Sequence, residues 1–140
     1  MTVVRIAYGT DEVTPVSAAA LEHLRAAGHE VEVVADGVDW PDAGRAVADA
    51  VAGARADLGV VWCWTGTGVS IAANKVAGVR AALCADAETA RGARRWNDAN
   101  VVALSLRLTT VAVAEEILDA FTTTATDPGE RHLVARVERP

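Results

Sequence analysis

Apolar residues along this chain fall into two alternating rhythms. Short runs at Val3–Tyr8, Glu30–Val34, Leu58–Trp62, Ala81–Cys84 and Val101–Leu104 have the length and β-branched content of buried strands. Between them, alanine-rich segments with apolar residues at helical spacing predict helices over Val16–Ala27, Pro41–Ala54, Ser70–Val76, Glu88–Arg95 and Val111–Phe121. Ala20, Leu21 and Leu24 mark the inner face of the first helix, and Gly28 stops it. Asp39-Trp40-Pro41-Asp42 opens the second, with Pro41 in its first turn. This alternation predicts an α/β fold: a Rossmann-like three-layer α/β/α sandwich with a parallel five-stranded sheet. No repeat or linker interrupts it, so 1–140 reads as a single domain. Residues 122–140, polar and turn-like around Asp127-Pro128-Gly129, form a C-terminal arm carrying Arg131, Arg136 and Arg139. Parallel strands end on one rim, where chemistry is expected: Gly9–Thr14, Ala35–Asp42, Cys63–Gly68, Ala85–Glu88 and Ser105–Leu108.

Composition narrows the picture modestly. A chain of 140 residues that is 51% hydrophobic can bury a substantial core. The net charge of -6 argues against nucleic acid as a partner. No apolar run has the length of a membrane span. Residues 1–8 read as a strand rather than an export signal, so a cytoplasmic location is expected. Cys63 and Cys84 each end a predicted strand, and in that compartment both are expected to be reduced.

The segment from Cys63 to Lys75, CWTGTGVSIAANK, concentrates the chemistry. It carries a thiol, a hydroxyl and two glycines from a strand end into a helix start. Unpaired amides at a helix N-terminus favour an anion, and glycine lets a ligand approach the main chain. A helix N-terminus also favours thiolate over thiol, which suits a base or a nucleophile. The structural alternatives are ordinary: Cys63 as a core cysteine and Thr65 as a helix N-cap.

CWTGTGVSIAANK resembles the CGTGxGxSIAANK signature of the type-B ribose-5-phosphate isomerases and their galactose-6-phosphate isomerase relatives. The likeness continues through Val79–Cys84, Thr89-Ala90-Arg91, Asn97–Val101, Asp39–Asp42 and Arg131-His132, covering nearly the whole chain. The resemblance implies aldose–ketose isomerisation of a small sugar phosphate through a cis-enediol, with no metal and no organic cofactor. It implies a homodimer with the site at the subunit interface. It makes Cys63 the general base. Thr65 and the amides of Gly66, Thr67 and Gly68 would stabilise the enediolate, helped by Asn97. Asp11 would bind sugar hydroxyls. Arg131 and Arg136 would bind phosphate, partly across the dimer, although Arg136 falls one residue later than the usual spacing. The alternative for the arginines is a solvated basic tail. Cys84 reads as structural.

Three positions depart from the family pattern. Glu12 stands where relatives carry a phosphate-directed histidine, and a carboxylate repels phosphate. Asp11 and Glu12 have the further alternative of capping the next helix. Trp64 replaces a glycine and adds an indole at the mouth of the site, where it narrows the pocket, stacks on a sugar, packs on a partner or joins the core. Trp96 replaces the ring-opening histidine, and an indole N–H cannot shuttle a proton. Of the remaining histidines, His23 and His29 are expected on the surface, away from the rim. Loss of the ring-opening group points to a short, open-chain substrate such as a tetrulose phosphate. The alternatives are a ligand-binding or partner protein that has lost the activity, and an altered isomerase or epimerase using Glu12 on a non-phosphorylated substrate.

Overall fold

The computed structural model describes residues 2–138. The strands are β1 (Arg5–Thr10), β2 (Glu30–Asp36), β3 (Leu58–Cys63), β4 (Ala81–Leu83) and β5 (Val101–Ser105). The helices are α1 (Pro15–Ala26), α2 (Trp40–Ala52), α3 (Thr67–Asn74), α4 (Ala87–Asn97), α5 (Val111–Thr123) and α6 (Arg131–Val137). All five strands are parallel, in the order β2-β1-β3-β5-β4. The expected Rossmann-like α/β/α sandwich is the architecture observed.

Strand alternation divides the core into two layers. Ile6, Tyr8, Val60, Trp62 and Leu104 pack with Leu24 of α1, Ala90 of α4 and Ile117, Leu118 and Phe121 of α5. Ala7, Val61, Cys63, Val101 and Ala103 face Ala43 and Val47 of α2 and Val69 and Ala73 of α3. Smaller side chains line this second face, so its helices lie closer to the sheet. A Cβ on Gly59 would stand 2.5 Å from Val47 Cγ1, and one on Gly9 would stand 2.8 Å from Val47 Cγ2. Gly44 does the same between helices: its Cβ would meet Ala72 Cβ at 2.8 Å and the Val69 carbonyl oxygen at 2.9 Å. The first turns of α2 and α3 are thereby held side by side.

Element ends shift by a residue or more from expectation, and three differences bear on the site and the arm. Pairing extends β1 to Thr10, opposite Asp36 and Trp62, so Gly9 and Thr10 belong to the sheet and not to a loop. Helix α3 begins at Thr67, because the turn at Gly66 already directs the chain into it. The arm is more regular than its composition suggests. Thr122 and Thr123 complete α5, a 3₁₀ turn covers Pro128–Glu130, and α6 follows. Helix α6 buries no residue, and Leu133 and Val137 stay 44% and 69% exposed. Its apolar positions Leu133, Val134 and Val137 share one face, but the stripe is short and follows a polar, turn-forming stretch. Nor are the two histidines free surface groups: His29 Nδ1 accepts from the Val4 amide at 3.2 Å, and His23 Nε2 lies 2.8 Å from Asp119 of α5. No described helix is long and apolar enough to cross a membrane.

Replacing Gly44 by valine tests the helix contact. Alanine would gain about 1 kcal/mol of helix propensity, which could mask a clash; valine gains much less and overfills the space. Gly44→Val is expected to cost about 1–3 kcal/mol of stability, read as a lower midpoint in denaturant unfolding with an unchanged slope.

Candidate functional site

The chain leaves β1 toward β2 on one side of the sheet and leaves β3 toward β4 on the other. In a parallel α/β sheet, such a reversal opens a crevice beyond the strand ends. Here the Asp11 amide donates to the Trp62 carbonyl at 3.2 Å, laying the first residue beyond β1 against the end of β3. A cavity of about 290 Å³ opens above this junction, lined by Asp11, Trp40, Cys63, Trp64, Thr65, Thr67 and Gly68.

Cys63 ends β3 on the α2/α3 face and is 5% exposed, lining the cavity floor. The next residues reverse direction through Gly66, whose φ of +78° suits glycine. A Cβ there would also stand 2.6 Å from Leu83 Cδ1 and 2.9 Å from the Leu104 carbonyl carbon. At Gly68 a Cβ would fall 2.8 Å from the Trp40 ring. Packing therefore excludes a side chain at both glycines, whatever a ligand requires of them.

Gly66 is the N-cap of α3 and offers no side chain to its first-turn amides. Those donors remain for an anion. Thr65 is not the cap; its hydroxyl lies 2.7 Å from the Thr67 hydroxyl, so two O–H groups stand together beside the thiol. Trp64 is fixed by its backbone, its carbonyl accepting from Ser105 Oγ at 3.0 Å and from the Arg107 amide at 3.0 Å. Its indole is 56% exposed at the cavity mouth, which removes the core reading. Asp11 Oδ1 is buried without a hydrogen-bond partner. Burial raises its carboxyl above the ordinary value, and the nearby Glu12 charge adds to the shift. Glu12 itself is exposed and does not line the cavity. Neither residue caps α1, because Thr14 does so in a capping box with Ser17.

The remaining candidates lie elsewhere. Helix α4 runs back from the strand C-terminal rim, so its last turn, with Trp96 and Asn97, sits on the opposite rim. Both are exposed, and the Trp96 ring lies against Gly92. Arg131, His132 and Arg136 are exposed on α6, whose terminal Glu138 reaches Arg80 just before β4, also on the far rim. Arg139 lies outside the described residues. Within one chain, then, the near rim gathers Asp11 with the Cys63–Gly68 loop, and the far rim gathers Asn97 with the arm. Among the described residues, no three His, Cys, Asp or Glu side chains form a metal-binding cluster.

Sequence reasoning passed over two residues of the near rim. Trp40 lines the cavity, and Arg107 is an exposed cation two residues beyond β5 whose amide bonds Trp64. Both fell inside segments expected at the rim, and rim position was the signal available for them.

A thiol and a glycine-turned helix start meet at the switch point of the parallel sheet of a Rossmann-like protein. The model of the Ribose/Galactose Isomerase family matches residues 6–139, and the chain belongs to that family. It is 41% identical over 123 residues to the galactose-6-phosphate isomerase subunit LacB of Clostridium acetobutylicum, covering 83% of this chain and 70% of that one. It is 40% identical over 124 residues to ribose-5-phosphate isomerase B of Escherichia coli, covering 84% and 82%. The crystal structure of a ribose 5-phosphate isomerase from Thermotoga maritima superposes with a TM-score of 0.89 at 34% identity, covering 96% of this chain and 97% of that one.

Both cysteines are free thiols, but their settings differ. Burial, with Asp86 nearby, pushes the Cys84 thiol up to about 11, so it stays protonated and unreactive at neutral pH. Iodoacetamide at pH 8 is expected to modify Cys63 and to spare Cys84 in the folded protein, as peptide mass spectrometry would read. Labelling of Cys84 first would contradict this placement.

Proposed function

We propose that this chain is an aldose–ketose isomerase of a small sugar phosphate, acting in the cytoplasm as a homodimer through a cis-enediol. The observation that carries the proposal is Cys63 on the floor of a cavity beside the uncapped start of α3. In this reading the Cys63 thiolate takes the proton from the carbon next to the carbonyl. Negative charge then moves onto oxygen, where the first-turn amides of α3 and the Thr65 hydroxyl stabilise it. The thiol returns the proton to the neighbouring carbon, and aldose becomes ketose. The free Asp11 Oδ1 accepts from a substrate hydroxyl, replacing the partner it lacks. Trp40 and Trp64 supply apolar walls against the sugar. Glu12, outside the cavity lining, is poorly placed to serve as the base instead.

Phosphate binding in this reading belongs to a second copy. Asn97, Arg131 and Arg136 are exposed on the far rim, and Leu133 and Val137 of α6 stay exposed among the described residues. Docked on a partner's near rim, these residues would complete the site beside Trp96. The indole of Trp64 narrows the cavity, and Trp96, in place of the family's histidine, leaves no proton shuttle for ring opening. A four-carbon ketose phosphate cannot close a ring past its phosphate, so it needs none.

Solvent deuterium exchange into a panel of ketose phosphates tests the chemistry. Exchange is expected on tetrulose phosphates and should fall roughly 100- to 10,000-fold in Cys63→Ala. Robust turnover of ribose 5-phosphate with none on four-carbon substrates would defeat the short-chain reading. Exchange lost only in Glu12→Gln would reassign the base, and tight binding without exchange would mark a ligand-binding protein.

A mixing experiment tests the shared site. Cys63→Ala and Asn97→Ala, each inactive alone, are expected to recover about a quarter of wild-type activity after subunit exchange. Half of the dimers would then be mixed, each with one intact site. No recovery in demonstrably mixed dimers would place all the working residues within one chain.

A further inference from the structure

Arg80 immediately precedes β4 on the far rim, with a side chain only 19% exposed. Its guanidinium reaches two segments, the turn that ends α4 and the end of α6. Toward α4, Nε donates to the Asp98 carbonyl at 2.7 Å and Nη2 to Asp98 Oδ2 at 3.3 Å. Toward α6, Nη1 donates to Glu138 Oε1 at 2.6 Å, while Glu138 Oε2 accepts from the Gly78 amide at 3.3 Å. The backbone of Arg80 joins the same loop: its amide donates to Asn100 Oδ1 at 2.7 Å.

Both anchored segments carry residues of the proposed half-site. Asp98 follows Asn97 and adopts a left-handed φ of +47°, a conformation that asparagine and aspartate tolerate best. Thr126 and Arg94 also contact its carboxylate, and Arg94 further bonds the Ala99 carbonyl. The Asn97 turn therefore has support besides Arg80. Helix α6 has much less, because it buries nothing against the body. Its start is tied by the Asp127 amide to the Arg95 carbonyl at 2.8 Å, and its end by Glu138 to Arg80 and Gly78.

We propose that Arg80 is a positioning residue that fixes the Asn97 turn and the arginine-bearing helix α6 in one relation, so that the far rim presents both to a partner's cavity as a unit. The inference rests on the shared-site reading above. Arginine is the residue type this requires. Its planar fork donates from three nitrogens at once, to Asp98 and to Glu138, whereas a lysine ammonium is a single point donor that cannot reproduce that set of bonds.

The test compares intact Glu138→Ala, Glu138→Gln and Arg80→Lys proteins, with Asn97→Ala and Arg131→Ala as references. Kinetics use the phosphorylated ketose turned over best, and amide hydrogen exchange is followed over 95–100 and 131–138. Glu138→Ala is expected to raise KM about fivefold with kcat within about twofold, a loss of binding and not of chemistry. Its exchange should quicken in 131–138 alone, and Glu138→Gln, which keeps one acceptor, should recover part of both effects. Arg80→Lys should add a fall in kcat of about tenfold and faster exchange in both segments. Wild-type kinetics and exchange in Glu138→Ala and Arg80→Lys, beside impaired Asn97→Ala and Arg131→Ala, would overturn the role of Arg80 alone. Full activity in Asn97→Ala and Arg131→Ala would overturn the shared site and this inference together. Should Arg80→Lys fail to fold, the half-exposed Glu138 variants carry the same comparison for α6.

Discussion

The left-handed turn at Gly66 is the constraint on which the near rim depends. Its φ of +78° swings the chain from the end of β3 into α3 within three residues. Any side chain there would strike Leu83 and the backbone of Leu104, so the turn can close only on glycine. Three consequences follow. Cys63 is left at the strand end facing the cavity. Thr65 and Thr67 are brought close enough to share a hydrogen bond. The first turn of α3 is left without a side-chain cap, so its donors face outward. A cap residue in place of Gly66 would satisfy those amides internally and take them from a ligand.

The rest of the fold supports that turn from beneath and beside it. Small residues on the α2/α3 face let α2 sit low on the sheet, and Gly44 lets it lie against α3. Trp40 then rests over Gly68, closing one wall of the cavity with an aromatic ring. The opposite face packs larger side chains, including the fully buried Trp62 and Phe121, and supplies bulk to the core. Tight packing thus serves position on one face and stability on the other.

The far rim is organised by charge and not by a turn. Asp98 and Glu138 converge on Arg80, and Arg94 joins them through Asp98. Burial lowers the Arg94 pKa from its ordinary value, yet the Asp98 charge opposes that shift. Isolated exposed pairs contribute little, but a partly buried network with defined geometry restrains the segments it joins. In the proposed dimer, a rigid catalytic loop on one copy would meet a charge-anchored presentation on the other.

The strand and helix alternation, the parallel sheet and the Cys63–Lys75 segment were legible in the sequence because each is a local pattern. Periodicity reports which face is buried, and glycine beside threonine at a strand end reports a turn. Family membership was equally legible, since the motif residues are contiguous. The α6 helix was not, because its short Leu133, Val134 and Val137 stripe follows a polar, turn-forming stretch that masked it. Trp40 and Arg107 were missed because their relation to Cys63 runs through space and not along the chain. Only the tertiary structure decided that Gly66 and Gly68 answer to Leu104 and Trp40, and that Thr14, not Asp11, caps α1. The opposite rims of Asn97 and Cys63 follow from the parallel sheet itself, because a crossover helix runs against its strands; only the strand order, with β3 between β1 and β5, decided that the loop after Cys63 lies beside Asp11 and Arg107.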